Sequence, residues 1–189
     1  MDHCLEMQHK GIVLRPLKRC DIESLRIWRN NPDNSRYIRK MPFISEEDQK
    51  AWFDRYLQDE DSYCFAICDG EKLVGSVSLY DISESSAEFG RLMIGEKKGC
   101  GYGSRATEAA LRIAFEKLGV EKVRAEVSFG NQAALTIYTK VGFRITGERF
   151  NEEAQLDEYT IELDIRDFSV DTPNAQHPAR QINSPLQTA

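Results

Sequence analysis

A glycine-rich segment, IGEKKGCGYGSRA (residues 94–106), narrows the range of folds that this chain can adopt. It joins a hydrophobic run typical of a strand to a run typical of a helix. Glycines at 99, 101 and 103 let backbone N–H groups approach an anion without interference from Cβ atoms. The helix that follows would point its positive end at the same place. The segment therefore predicts a phosphate-binding loop between a strand and a helix.

Three kinds of site use such a junction: the P-loop, the dinucleotide loop of Rossmann folds, and the pyrophosphate loop of coenzyme A-binding proteins. A P-loop requires Gly-Lys-Ser/Thr, which is missing from this sequence. Gly101, Gly103 and Ala106 fit the dinucleotide pattern G-x-G-x-x-A, and Glu126 follows about 20 residues later. However, the strand lies after a hairpin in mid-chain, whereas a dinucleotide fold would open with this unit. An NAD(P)-dependent oxidoreductase stays an alternative.

Two stretches resemble the GNAT family of N-acetyltransferases. KGCGYGSRA is similar to the acyl-CoA pyrophosphate loop, Arg/Gln-x-x-Gly-x-Gly/Ala, although a lysine replaces the usual Arg or Gln and the loop is slightly short. NQAALTIYTKVGF resembles the second signature of the family. The matching positions are Lys98, Gly101, Gly103, Asn131, Ala134, Tyr138, Lys140, Gly142 and Phe143. The resemblance runs from residue 12 to residue 166 and implies acetyl-CoA as co-substrate.

The hydrophobic periodicity predicts an α/β (α+β) fold with the order β-α-α-β-β-β-α-β-α-β-β. Such an order describes a mixed sheet of about seven strands with helices on both faces. The GNAT resemblance implies that the strands at 86–95 and 122–129 splay apart. Asp69-Gly70 gives a strong hairpin signal. The predicted helix caps are Asp21, Ser45 and Asn131.

The length and composition of the chain predict one domain at 11–168, with a flexible N-terminus at 1–10 and a polar tail at 169–189. The net charge of −6 gives no support to nucleic-acid binding. No run could span a membrane, and the N-terminus lacks the apolar core of a signal peptide. Five scattered cysteines offer no metal site. We expect a cytoplasmic protein without metal, nucleic-acid or membrane partners; a homodimer is left open.

The resemblance implies that backbone groups of the strand around residue 93 pair with pantetheine and that one amide faces the thioester oxygen. Such an amide typically stabilises a transition state by about 3 kcal/mol. The amides of the glycine-rich loop would hold the pyrophosphate. The residues expected to bind acetyl-CoA are Leu92, Met93, Ile94, Lys98, Gly99, Cys100, Gly101, Tyr102, Gly103, Ser104, Asn131 and Tyr138.

Three residues are expected to act in catalysis. Tyr138 matches the tyrosine proposed in this family as general acid on the coenzyme sulfur, and packing is its alternative role. Because a thiol titrates near about 8.5 and a phenol near about 10, a hydrogen bond to the thiolate describes this role better than full proton donation. Glu126 and Glu88 flank the cleft as candidate bases, and Glu126 is preferred because it faces opposite the apolar residues of its strand. Solvated surface acids are the alternative for both.

The acceptor amine has no motif. Trp28, Arg29 and Asn30 are the expected substrate-binding residues, in a stretch that resembles ribosomal-protein, spermidine and nucleotide-linked amino-sugar acetyltransferases. The amino-sugar group fits best, since Arg29, Arg36 and Arg39 would suit a diphosphate. A polyamine or a protein N-terminus is the alternative acceptor, and an acetyl-CoA sensor without turnover is an alternative class. The acids that a polyamine would use are Glu152, Glu153, Asp157 and Glu158.

Overall fold

Eight strands form one mixed sheet in the computed structural model, which describes residues 4–37 and 42–168. The strands are β1 (Met7–His9), β2 (Ile12–Pro16), β3 (Tyr63–Asp69), β4 (Lys72–Tyr80), β5 (Ser86–Ile94), β6 (Lys122–Ser128), β7 (Arg144–Asn151) and β8 (Leu156–Asp164). Their order in the sheet is β1-β2-β3-β4-β5-β6-β8-β7. All neighbouring strands pair antiparallel except β5 and β6, which are parallel.

Helices cover both faces of the sheet. They are α1 (Ile22–Asn30), α2 (Pro32–Ser35), α3 (Glu46–Tyr56), α4 (Tyr102–Arg112) and α5 (Gln132–Lys140). A π-helical turn, Ile113–Lys117, extends α4. The main core lies under α4 and α5, and a second core lies under α1 and α3 on the other face. Among the described residues, no helix combines the length and the apolar character that crossing a bilayer requires.

The predicted splay between β5 and β6 is confirmed. The two strands pair only from Ser86 to Glu88, and then separate. β5 also carries a bulge, in which Arg91 and Leu92 lie opposite Val77 of β4 and Arg91 has a φ of 52°. Because a bulge bends its strand and increases the local twist, the second half of β5 turns away from β6. A cleft therefore opens at Glu88.

The structure adds one strand to the predicted number of about seven. The additional strand, β1, lies inside residues 1–10, which the sequence analysis expects to be flexible. Lys10 and Gly11, with φ of 45° and 81°, form the two-residue turn that pairs β1 with β2. Three residues are too few to show alternation, so the pattern gave no strand signal. The predicted tail at 169–189 lies outside the described residues.

The predicted helix caps differ in outcome. Ser45 and Asn131 accept hydrogen bonds from the first turns of α3 and α5, as expected. Asp21 precedes α1 but makes no cap bond to it, so that prediction is wrong. Its carboxylate instead accepts from the Arg15 guanidinium at 2.7 and 2.9 Å and from the Lys18 amide at 2.8 Å. Asp21 thus joins α1 to β2, a contact that depends on tertiary structure.

Candidate active site

The glycine-rich loop connects β5 to α4 and exposes backbone to solvent. Gly99 and Gly101 have left-handed φ of 85° and 75°, and a Cβ at either position would meet nothing within 4 Å. Gly101 is the N-cap of α4. The amides of Tyr102, Gly103 and Ser104 therefore start the helix without an acceptor one turn earlier. This open set of N–H groups at a helix N-terminus suits a phosphate.

Arg105 fixes the position of the loop. Its guanidinium donates to the carbonyl oxygens of Cys100 at 2.9 Å and Lys10 at 3.1 Å, and it lies 4.7 Å from the centroid of the Tyr102 ring. The Tyr102 hydroxyl in turn donates to the Asp69 carboxylate at 2.5 Å. The sequence analysis missed this role of Arg105. No local signal could reveal it, because Lys10 is 95 positions away.

Lys98 lies at the start of the loop and binds outside it. Its ammonium donates to the side-chain oxygen of Asn34, a residue of α2. The Asn34 amide also donates to the Trp28 carbonyl oxygen at 2.9 Å. Lys98 thus connects the loop to α2, and its ammonium donates no hydrogen bond to the loop itself within the described residues.

The three residues predicted to bind the acceptor, Trp28, Arg29 and Asn30, have different surroundings. The Trp28 ring packs on Gly95, where a Cβ would stand 1.9 Å from the ring, and Trp28 is buried. The Asn30 side chain bonds both backbone groups of Ile44 at 2.9 and 3.0 Å. Arg29, by contrast, lines a cavity on the α1 and α3 face of the sheet. Trp28 and Asn30 therefore support the site from behind.

The part of β5 that was predicted to pair with pantetheine lies beyond Glu88, where the edge of β5 has separated from β6. From Phe89 to Ile94, this edge has no strand partner on the β6 side among the described residues. Leu92 and Ile94 pack toward the α4 and α5 core, and Met93 faces the α1 and α3 core. The free edge can accept an extended ligand in the way that a sheet accepts an added strand.

Tyr138 of α5 stands beside this edge. Its side chain is buried, with its ring edge-on to Phe89 at 5.5 Å and tilted against Phe143 at 5.7 Å. Its hydroxyl makes no hydrogen bond to any described residue. Burial raises the pKa of Tyr138 above that of an ordinary phenol, so the hydroxyl keeps its proton. Tyr138 therefore keeps a hydroxyl that can act as a hydrogen-bond donor.

The two candidate bases have different surroundings. Glu88 is the last residue of β5 that pairs with β6, and it is half-buried; its carboxylate has no ion pair or hydrogen bond within the described ranges. Its burial and the negative charge of Glu126 raise the pKa of Glu88 above its usual value. Glu126 accepts a hydrogen bond from Arg149 at 2.5 Å. Among the described residues, Glu126, the base preferred from sequence, is thus held by a cation, whereas the Glu88 carboxylate is not.

A cavity of about 420 Å³ opens on the face of the sheet covered by α1 and α3. Among residues 4–37 and 42–168, its charged lining consists of one carboxylate, Asp48, and three guanidinium groups, those of Arg29, Arg55 and Arg91. Its floor includes Ser76 of β4, on the same face as Tyr80, which pairs with Glu88. The cavity and Glu88 therefore share one face of the sheet.

Asn131 and Cys100 are two further residues predicted to bind acetyl-CoA. Asn131 caps α5 through the Ala134 amide at 3.2 Å, so its position follows from the helix it starts. Cys100 is exposed in the loop with a free thiol. The part of the chain that the structure describes contains no cluster of three or more His, Cys, Asp or Glu suited to a metal ion.

Comparisons with known proteins agree with this geometry. Residues 12–144 match the acetyltransferase (GNAT) domain family. The chain is 32% identical over 145 residues to a spermidine N(1)-acetyltransferase of Escherichia coli, covering 75% of this chain and 77% of that protein. It is 29% identical over 128 residues to acetyltransferase PseH of Campylobacter jejuni, covering 68% and 80%.

Solved structures share the fold. The spermidine N-acetyltransferase of Vibrio cholerae, in complex with CoA and spermine, gives a TM-score of 0.77 at 24% identity and covers 83% of this chain and 97% of that one. A GNAT acetyltransferase from Bacillus anthracis gives 0.73 at 20% identity, covering 85% and 98%. The glycine-rich loop, the splayed strands and the matched family lead to one conclusion: the chain belongs to the GNAT acetyltransferases and is an acetyl-CoA-dependent N-acetyltransferase.

Proposed function

We propose that the chain acetylates the primary amine of a nucleotide-linked amino sugar. The observation that carries this substrate class is the cavity lining, in which Arg29, Arg55 and Arg91 outnumber the single carboxylate of Asp48. Guanidinium groups bind phosphate oxygens in a bidentate manner and keep their charge at all physiological pH values. A nucleoside diphosphate would therefore be attracted to this cavity, whereas a polyamine cation would be repelled.

The reaction needs a proton acceptor, a polarised carbonyl and a leaving thiolate. The amine lone pair attacks the thioester carbon, the carbon–sulfur bond breaks, and the products are an amide and coenzyme A. We assign Glu88, directly or through a water molecule, to the proton lost by nitrogen, and the Tyr138 hydroxyl to the hydrogen bond on the departing sulfur. Backbone amides of β5 near Met93 would face the carbonyl oxygen, a kind of interaction typically worth about 3 kcal/mol.

The raised pKa of Glu88 suits this role. Only about one alkylammonium in a thousand is neutral at pH 7, since its pKa lies near 10. A carboxylate takes the amine proton more readily when its own pKa lies closer to the working pH. Glu88 meets that condition because it is half-buried beside the charge of Glu126. Glu126 is paired with Arg149 and would have to leave that partner first.

Polyamine acetylation is the second candidate, because several relatives are spermidine acetyltransferases at up to 32% identity. The acids expected to attract a polyamine lie on or near the β7–β8 hairpin, outside the cavity lining. Glu158 is buried and accepts from Asn151 at 2.9 Å. Of the arginines proposed for a diphosphate, Arg36 pairs with Asp33 at 3.6 Å and is absent from the cavity lining. Arg39 lies outside the described residues.

A thiol-release assay tests the proposal. Acetyl-CoA is mixed with UDP-linked amino sugars that carry the free amine at different ring positions, and separately with spermidine and spermine. We expect turnover of at least one nucleotide sugar with a kcat/KM at least tenfold above that of either polyamine. A preference for spermidine would reject the substrate class while leaving the acetyltransferase chemistry intact. Competition by UDP alone should be measurable, since the cavity would bind the diphosphate without the sugar.

A further inference from the structure

Tyr80 lies at the point where the cavity meets the cleft. It is the last residue of β4 and pairs directly with Glu88, the last residue of β5 that is paired with β6. Side chains of directly opposed antiparallel residues start about 5 Å apart on the same face. Tyr80 and Glu88 therefore form the apex of the cleft on the cavity side.

The Tyr80 side chain extends from this apex into the open part of the cleft. Its hydroxyl lies over Gly90, where a Cβ would stand 2.9 Å from the hydroxyl oxygen. Gly90 comes after Glu88 in β5, where β5 and β6 have already separated. An aromatic side chain can reach such a diagonal neighbour across two strands. Glycine at position 90 thus leaves the space that the phenol occupies.

Arg91 holds the ring from the cavity side. Its guanidinium lies 4.4 Å from the ring centroid of Tyr80, and the same side chain lines the cavity. Arg91 reaches this position from the β5 bulge, with a φ of 52°. A non-glycine residue in this conformation is strained, and the surrounding structure must offset that strain. The bulge therefore places the guanidinium between the cavity and Tyr80.

The Tyr80 hydroxyl has no hydrogen-bond partner among residues 4–37 and 42–168. A half-buried phenol usually finds a partner. Burial raises the pKa of Tyr80, so the group stays neutral, and its charged neighbours include Arg91, Glu88 and Glu126. A neutral hydroxyl beside a candidate base, facing a cleft, is available to a ligand.

We propose that Tyr80 binds the acceptor amine: its hydroxyl oxygen accepts a hydrogen bond from the amine N–H and holds the nitrogen beside Glu88. The nitrogen lone pair is then free to attack the thioester carbon. Gly90 and Arg91 act as positioning residues, since they fix where the hydroxyl lies. This assignment rests on the proposed acetyl transfer but applies to an amino sugar and to a polyamine alike, because it concerns the amine only.

The test compares Tyr80→Phe, Gly90→Ala and the double variant. Tyr80→Phe removes the oxygen and keeps the ring on Arg91. We expect its kcat/KM for the acceptor to fall at least tenfold, mainly through KM, with acetyl-CoA affinity by calorimetry unchanged within twofold. Gly90→Ala should show a similar loss because its Cβ displaces the hydroxyl. The double variant should lose no more than Tyr80→Phe alone, since both changes remove one interaction.

Gly147→Ala provides the matched control. A Cβ at this β7 glycine would stand 2.9 Å from the Thr160 hydroxyl, the same kind of crowding at a position outside the cleft. Its acceptor kcat/KM should stay within twofold of wild type. Wild-type acceptor kinetics in Tyr80→Phe, or multiplied losses in the double variant, would overturn the assignment.

A binding measurement separates this assignment from the proposed function. UDP-linked amino sugar and spermidine are each titrated into protein saturated with CoA, in which no transfer can occur. Binding to wild type that is at least fivefold tighter than to Tyr80→Phe supports the role of the hydroxyl, even if turnover assays reject the proposed substrate. Equal affinity in both proteins, or no binding of either amine to wild type, contradicts it.

Discussion

The two sides of the cleft are built from different parts of the chain. On the coenzyme side, the groups available to a ligand are backbone atoms: the left-handed Gly99 and Gly101, the first amides of α4 and the free edge of β5. On the proposed acceptor side, the cavity is lined by charged side chains, including Arg29, Arg55 and Arg91 from α1, α3 and the β5 bulge.

This difference explains what each side can recognise and change. Amides at a helix N-terminus bind pyrophosphate through geometry that any sequence with the right glycines can adopt. A side-chain cavity can change its charge by single substitutions without altering the sheet. The same coenzyme can therefore serve relatives with different acceptors, while the acceptor of this chain must be inferred from its own arginines.

The largest expected effect is that of Glu88→Gln. Loss of a general base lowers rates by about 10²- to 10⁴-fold, so we expect kcat to fall at least about 100-fold and the acid limb of the pH–rate profile to disappear. Glu126→Gln, on the same face but already paired with Arg149, is the matched control and should lose less than fivefold. The reverse ranking would return the role of base to Glu126.

A stability measurement excludes unfolding as the cause. The folded-state pKa of Glu88 lies above its unfolded value, so this group favours the folded state at low pH and loses that contribution as pH rises through the raised pKa. At pH 7 the charged carboxylate therefore opposes folding. Glu88→Gln should leave the melting temperature unchanged or raise it, and a clear decrease would contradict the account.

Tyr138→Phe tests whether the Tyr138 hydroxyl contributes to catalysis on the coenzyme side. The substitution keeps the edge-on ring contact with Phe89 and removes only the hydroxyl. We expect kcat to fall at least about tenfold, in the range of a lost acid–base or hydrogen-bonding contribution, and acetyl-CoA affinity to stay within twofold. Single-turnover kinetics with saturating acetyl-CoA measure the effect. Full activity would assign Tyr138 to packing alone.

Comparing Gly101→Ala with Gly119→Ala separates a loss of coenzyme binding from the effect of backbone strain. Gly101 and Gly119 have φ of 75° and 72°, and a Cβ at either would meet nothing within 4 Å. Both alanine variants should therefore lose about 1 kcal/mol of folding stability. Only Gly101→Ala should also weaken acetyl-CoA binding, by about fivefold, since its Cβ would face the pyrophosphate. Equal affinities in the two variants would remove the loop from the coenzyme site.

The smallest effect on catalysis is expected for Asp21→Asn, which tests the support of the acceptor side. Burial disfavours the Asp21 carboxylate, but its hydrogen bonds with Arg15 and Lys18 outweigh that and lower the pKa of Asp21. The stability it supplies is present above its unfolded pKa and is lost as pH falls through the lowered value. We expect about 2 kcal/mol less unfolding free energy at pH 7, measured in urea, the range for losing hydrogen bonds to a charged group, and kcat within twofold of wild type.

The sequence predicted the local structure on the proposed coenzyme side, namely a glycine-rich loop between a strand and a helix and the cap of α5, because those signals are local. The glycines, the Asn131 cap and the position of Tyr138 depend on neighbours a few residues away, so a motif carries them. The splay of β5 and β6 followed from the family resemblance and is confirmed.

The structure of the acceptor side depends on one extra residue in β5, the bulge, which the hydrophobic alternation of the sequence does not reveal. Strict alternation from Ala87 and Phe89 would put Met93 under α4 and α5, yet the bulge at Arg91 and Leu92 moves it to the face under α1 and α3. A shift of one residue reverses the face of every later side chain. The Glu126–Arg149 pair likewise needs the β6-β8-β7 order, so sequence spacing alone could not rank the two bases.

The claim that side chains form the acceptor site is tested most directly by comparing kcat/KM for two acceptors. The kcat/KM for a UDP-linked amino sugar is divided by that for spermidine, in wild type and in the double variant Arg29→Ala, Arg55→Ala. We predict a ratio above one for wild type and a decrease of at least tenfold in the variant, with unchanged acetyl-CoA affinity. A wild-type preference for spermidine that survives the loss of both arginines would contradict the account.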